Sequence, residues 1–332
     1  DTARKNVASA LGCAPGEVVF TSCGSESDNW ALLSGAWAAS PKGGHVISSA
    51  VEHDAVLKTL DELERRGYSV TRLEPGPDGA VSAESVRAAL RPDTVLVSLM
   101  MVNNETGAVT DIGGIARMLK KAAPDALLHT DAVQGFLKVP FSAKTLGADM
   151  ISISGHKIHA PKGVGALYIG PRVRNPLPLL PGGGQERGAR SGTEATAQIA
   201  GFAKAVELRL ADYDAKLAHM AGLKAYCREK LLAMGGVVPV GEGTAPHILA
   251  VSLVGYPSAN IVTDLGAQGI CISAGSACHQ GKASHVVSAL GLDKKTAAGV
   301  IRISFSPDNT REDVDVLCQA LLAHRDSRFP ML

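Results

Sequence analysis

A lysine that ends an apolar strand inside a glycine- and serine-rich turn is placed for covalent chemistry on a carbonyl group. Ser154-Gly155-His156-Lys157 is such a turn: it follows the apolar run Met150–Ile153, and Ala160-Pro-Lys-Gly-Val-Gly165 comes just beyond it. There the amine can be partly desolvated, nucleophilic near neutral pH and able to form a Schiff base. Most lysines are solvated surface residues, so this tetrapeptide alone decides little. Asp131 adds to it, closing the run Leu127–Thr130 26 residues before Lys157, a spacing suited to adjacent elements of one sheet. Pyridoxal 5'-phosphate (PLP) needs a carboxylate against its pyridine nitrogen, so that the protonated ring accepts electrons from a substrate carbon. Gln134, three residues on, can hydrogen-bond the ring's phenolic oxygen. An aspartate at a strand end is, however, more commonly a helix N-cap.

Cys23-Gly24-Ser25-Glu26-Ser27 joins a strand to a helix, where free N–H groups, a glycine and hydroxyls make a phosphate cup. Any strand–turn–helix rich in Gly and Ser shares that look. His53, opening the next helix, can stack on a planar ring and move protons, or serve only as a cap. Gly275-Ser-Ala-Cys-His-Gln-Gly281 is small and polar and carries one cysteine, Cys278. Access and a lowered pKa would make that cysteine a nucleophile; a packed turn with an incidental cysteine is an equal reading.

These residues need elements to hold them. Short apolar runs (Glu17–Thr21, His45–Ser48, Val95–Leu99, Leu127–Thr130, Met150–Ile153 and Ala166–Ile169) read as strands. Helical patterns cover Ser25–Ala39, His53–Arg66 and a stretch after Asp111, with Ile112, Ile115 and Leu119 on one face. Such alternation predicts an α/β fold with a mostly parallel sheet covered on both faces. Ligands gather at the carboxyl ends of strands in such sheets. Thr21–Asn29, Glu52-His53, Asn103-Asn104, Asp131 and Ser154–Lys157 all fall there. One long helical pattern runs from about Glu194 to Leu232 and holds the boundary, near 205–215, between a large domain (1–210) and a small C-terminal one (211–332).

The chain has 332 residues, 45% hydrophobic and 20% charged, enough for one large and one smaller domain. A net charge of +1 argues against nucleic acid or an anionic membrane as the main partner. No run of about eighteen apolar residues suggests a membrane span. The six cysteines include no CxxC pair, so neither a disulfide scaffold nor a structural zinc site is expected. A reducing, cytoplasmic setting is the expectation. The chain starts at Asp1 directly in a helical pattern, which suggests a preceding segment.

In order along the chain, these motifs resemble the cysteine desulfurases of the NifS/IscS type, PLP enzymes of aminotransferase-like fold type I. The resemblance rests on Phe20-Thr-Ser-Cys-Gly-Ser-Glu-Ser-Asp-Asn29, Val102-Asn-Asn-Glu-Thr-Gly107, His129-Thr-Asp-Ala-Val-Gln134 and Ser154-Gly-His-Lys157. It also rests on Gly182-Gly-Gly-Gln-Glu-Arg-Gly-Ala-Arg-Ser-Gly-Thr193 and Ser273-Ala-Gly-Ser-Ala-Cys278, and so covers nearly the whole chain. It implies a large domain with a mostly parallel sheet flanked by helices, and a smaller α/β domain carrying the Cys278 loop. Lys157 would bind PLP covalently and shuttle the substrate's α-proton, with Asp131 on the ring nitrogen and His53 stacked on the ring. Gln134 and Asn104 would reach the ring oxygen or the substrate. Gly24, Ser25, Ser154 and His156 would hold the phosphate, and Thr193 the phosphate of a neighbouring subunit, which requires a homodimer. Arg302 would clamp the carboxylate of L-cysteine. Cys278 would take the sulfur as a persulfide, leaving alanine, for an acceptor such as an iron–sulfur scaffold.

The chain departs from that pattern in three places. The family's opening Asp-Asn-Ala-Ala-Thr strand and later Asn-Pro-Ser stretch are absent. The loop from Cys278 to Gly291 is shorter than usual and lacks the proline before Ser284-His285. Ser306-Pro307 replaces a Gly-Arg pair. A selenocysteine lyase, another PLP lyase or transaminase, and a non-catalytic sulfur-trafficking scaffold are the competing readings.

Overall fold

The computed structural model describes residues 1–275 and 284–330, and Cys278 lies outside them. These residues form two compact units. The first comprises Asp1–Glu74, Val81–Val102 and Thr110–Tyr213; the second comprises Pro75–Ala80, Asn103–Val109 and the chain from Asp214 onward.

The first unit runs α1 (Thr2–Leu11), β1 (Val18–Thr21), α2 (Gly24–Ala39), β2 (His45–Ser49), α3 (Asp54–Arg65) and β3 (Ser69–Leu73). It continues with α4 (Ala83–Ala89), β4 (Thr94–Ser98), α5 (Ile112–Ala122), β5 (Leu127–Asp131), α6 (Ala143–Leu146), β6 (Met150–Ser154), β7 (Gly165–Ile169) and α7 (Thr196–Leu210). Its seven strands lie in the order β1-β7-β6-β5-β4-β2-β3. Only β7 runs against its neighbours; the other pairs are parallel. This is the mostly parallel sheet that the alternating runs predict. Strands β1, β2, β5 and β6 are buried throughout, as continuous apolar runs covered on both faces should be.

The helices dock through single stripes. On α3, Val56, Leu60 and Leu63 are buried, each contributing about 1.5–3 kcal/mol. Asp111 caps α5, accepting from Gly114 N–H at 2.8 Å, and Ile112, Ile115 and Leu119 face inward. Helix α2 crosses the sheet so closely that a Cβ on Gly35 would stand 2.5 Å from Met150 Cε.

Two features differ from the sequence expectation. Strand β3 at the sheet edge is only partly buried and mixes Ser, Thr and Arg with Val and Leu, so it carries little apolar signal. The long pattern from Glu194 is two helices, α7 and α8 (Tyr213–Ala233), broken at Asp212. Asp212 has φ 53°, a left-handed value that cannot continue a right-handed helix.

The second unit adds β8 (Val237–Pro239), β9 (Ile248–Leu253), α9 (Ser258–Gly266), β10 (Ser273–Ala274), α10 (His285–Ala289), α11 (Lys294–Ala298), β11 (Val300–Ser304) and α12 (Arg311–Ser327). Its strands form an antiparallel sheet, β10-β11-β9-β8. Met220, Leu223, Cys227 and Leu231 of α8 pack with Leu249, Val251, Ile301 and Ile303 of the sheet and Leu317 and Leu321 of α12. Among the described residues no helix is long and apolar enough to cross a membrane.

Candidate active site

The ends of β5 and β6 carry the centre of the first unit's site. Asp131, the last residue of β5, is paired in register with Ser152, so Ser154 lies just beyond it on the neighbouring strand. The Asp131 carboxylate is buried, and its Oδ1 accepts from Val133 N–H at 2.8 Å. Burial raises its pKa; the Val133 bond and the positive fields of His53 and Lys157 oppose the rise. Thus the structure gathers Asp131, His53 and Lys157. Lys157 is half-buried in a 3-10 turn, Gly155–Ile158, that leaves β6 directly.

The start of α2 meets the same strand ends. A Cβ on Gly24 would lie 2.7 Å from Val133 Cγ2 and 3.4 Å from Ser154 Cβ, so only glycine allows this approach. Ser25, one residue on, is exposed. Ser154 Oγ is 2.9 Å from His156 Nδ1. Burial, then the positive charges of Lys157, Lys138 and Lys162, hold His156 below the usual histidine range. Helix N–H groups and a cluster of cations therefore occur together, as an anion site requires. His53 caps α3 as well, its Nδ1 accepting from Ala55 N–H at 3.1 Å, and its ring is exposed. Gln134 Oε1 accepts from Lys138 Nζ at 3.0 Å.

Several partners escaped the sequence reading. Glu26 pairs with Arg190 (2.8 and 3.2 Å) and accepts from Ser22 N–H at 2.9 Å, tying the start of α2 to the glycine-rich stretch before Thr193. Burial would raise Glu26, but these bonds outweigh it and hold the carboxyl low. Thr193 itself is exposed and lines a cleft with Phe20, Ser22, Gly163 and Arg190. Glu52 accepts from Ser49 Oγ at 2.6 Å and Met100 N–H at 3.0 Å, joining the ends of β2 and β4. Lys138 lies four residues after Gln134 in the turns that follow β5.

Within the second unit, Asn104 and Arg302 come together. Arg302, on β11, donates from Nη1 to the Asn104 main-chain oxygen at 2.7 Å and from Nη2 to Ser273 Oγ at 3.1 Å. Asn103 shapes this turn, its Oδ1 accepting from the Glu105 and Thr106 N–H groups at 2.9 Å each. Glu105 Oε1 accepts from Ser284 Oγ at 2.8 Å.

A family model, aminotransferase class-V, matches residues 1–317. The chain belongs to the class-V aminotransferases. Within them its similarity is to cysteine desulfurases. That of Nostoc sp. (strain PCC 7120 / SAG 25.82 / UTEX 2576) is 40% identical over 325 residues, 96% of this chain and 80% of that protein. The cysteine desulfurase IscS of Azotobacter vinelandii (strain DJ / ATCC BAA-1303) is 40% identical over 331 residues, 97% of this chain and 81% of that protein. A solved structure described as a NifS-like protein superposes with a TM-score of 0.91 at 36% identity, covering 98% of this chain and 87% of that one.

Class-V aminotransferases of this kind are PLP enzymes, and the residues present fit the cofactor. The Gly24 approach, which a Cβ would fill, puts the first N–H groups of α2 beside Ser154. The buried Asp131 supplies an anion suited to a pyridinium nitrogen, with a lysine amine near it.

Proposed function

We propose that this class-V aminotransferase is a PLP-dependent cysteine desulfurase in which Lys157 binds the cofactor and Cys278 takes the sulfur. The observation that carries the reading is the buried Asp131 with His53 and Lys157 around it, in a chain so similar to cysteine desulfurases. When bound, PLP supplies an electron sink that acidifies the substrate's α-carbon. Lys157 holds and returns that proton, and Asp131 keeps its negative charge against the ring nitrogen. Gln134 hydrogen-bonds the ring oxygen and His53 covers the ring face. Gly24, Ser25, Ser154 and His156 hold the phosphate, with Thr193 reaching the phosphate of a partner subunit in a homodimer.

Arg302 and Asn104 bind the carboxylate end of L-cysteine. The thiolate of Cys278 attacks the substrate sulfur and a new S–S bond forms. The substrate C–S bond breaks, its electron pair passing to the carbon, which takes up protons and leaves as alanine. The persulfide on Cys278 then passes to a cytoplasmic sulfur acceptor such as an iron–sulfur scaffold. Residues 1–210 serve as the PLP-binding domain and 211–332 as the domain carrying Cys278.

The test is alanine and sulfide release from L-cysteine by the PLP-loaded protein with a thiol reductant. Lys157→Ala and Cys278→Ala should each lower it by more than ~10²-fold. Full activity in Cys278→Ala would leave a PLP lyase with an incidental cysteine.

A further inference from the structure

Behind Asp131, a row of buried polar side chains crosses the sheet of the first unit, one from each of four adjacent strands. Ser48 of β2 donates to the Ser98 main-chain oxygen of β4 at 2.8 Å. Ser98 Oγ meets His129 Nδ1 of β5 at 2.8 Å, and His129 Nε2 meets Ser152 Oγ of β6 at 2.9 Å. All four residues are fully buried. His129 lies two residues before Asp131 on the same strand and so shares its face, and Ser152 is Asp131's register partner. Helix α2 places Asp28 over this row, 1% exposed, with Oδ1 at 3.7 Å from His129 Nε2. Among the described residues no hydrogen bond reaches that Oδ1.

Burial of both carboxyl groups, 1% and 6% exposed, disfavours two negative charges there. Burial, then the charge of Asp131, push Asp28 well above the usual carboxylate range; the Ser152 hydroxyl opposes this, and Glu52 and Cys23 add to the rise. His129 cannot supply a neutralising charge, because burial drives it down to about 3 and both ring nitrogens are engaged by serine hydroxyls. His53 and Lys157 favour the charged form of Asp131, and neither is among the groups that act on Asp28.

We infer that Asp28 is a positioning residue for the desulfurase: as the protonated member of a buried carboxyl pair, seated against the His129–Ser152 row, it confines the pair's single negative charge to Asp131. The inference rests on Asp131 being the partner of the cofactor's ring nitrogen. Asp28 never touches the cofactor; it acts by keeping a second charge away from a site that needs one.

The experiment is a pH titration of the visible absorbance of the PLP-loaded protein, wild type against Asp28→Asn. A protonated Asp28 is neutral, and asparagine keeps both that shape and that charge, so the Asp28→Asn midpoint should stay where wild type has it. A midpoint lowered by about one pH unit would show a charged Asp28 in wild type and overturn the inference. Infrared spectroscopy supplies a second readout: the Glu52→Gln holoenzyme, with the neighbouring acid removed, should still show a protonated-carboxyl band near neutral pH. Its absence would also overturn the inference, even if Asp28→Asn does not fold. Failure of the underlying reading looks different: Asp131→Asn would then leave cofactor affinity and absorbance unchanged.

Discussion

The end of β5 and the Asn104–Arg302 turn both hold ionisable or strongly polar groups, and they do so by opposite means. Around Asp131, the carboxyls of Asp28 and Glu52 and the ring of His129 are at most 1% exposed, and Asp131 itself is 6% exposed. Charge there is governed by the exclusion of water. Arg302 is half-buried and is met by neutral oxygens, the Asn104 carbonyl and the Ser273 hydroxyl. Its charge is permanent, so geometry does the selecting. The first region should therefore be sensitive to a change of charge at constant shape, and the second to a change of shape at constant charge.

The largest test of that contrast is Asp131→Asn, which is nearly isosteric. Desulfurase turnover should fall by ~10²–10³-fold, with weaker PLP retention, because a neutral amide cannot balance the charge of a pyridinium in a buried site. Steady-state kinetics and a PLP titration measure both effects. Arg302→Lys comes next. It keeps the charge and loses the planar fork, so KM for L-cysteine should rise ~10-fold while kcat changes much less. A larger loss of turnover in Arg302→Lys than in Asp131→Asn would break the comparison.

The smallest effect is on stability, at Glu52. Burial pushes its carboxyl from 4.5 up to about 8, against the bonds from Ser49 and Met100. The folded state then keeps a proton that the unfolded chain releases near its ordinary value. The stability this provides is complete below about pH 4.5 and is lost as pH rises through about 8. Glu52→Gln removes that dependence while keeping an oxygen acceptor. Its melting temperature relative to wild type should rise by at least ~2 °C between about pH 5 and pH 9. A constant difference across that range would show that Glu52 is ionised in the fold and that water reaches the cluster.

The strand-end residues were legible because each lies in a contiguous signature: an apolar run followed by a polar turn. Asp131 and Ser154–Lys157 are of that kind, and so is the Gly24 turn. The break at Asp212 was not legible, since a left-handed residue leaves no mark in an amphipathic pattern that resumes one turn later. Strand β3 was missed because an edge strand need not be apolar on both faces. The Glu26–Arg190 pair joins residues 164 positions apart, and neither residue is unusual in its own segment.

The α/β class of the fold, most strands of the first unit's sheet and the family could be read from the sequence alone. All of these follow from local pattern, because hydrophobic periodicity and turn chemistry act over a few residues. That Ser48, Ser98, His129 and Ser152 form one row, with Asp28 against its His129, came from the tertiary structure. That arrangement depends on strand order and register across a parallel sheet, and on which helix turn covers it. Those are non-local choices of packing, and the burial they impose is what shifts Asp28 up and His129 down.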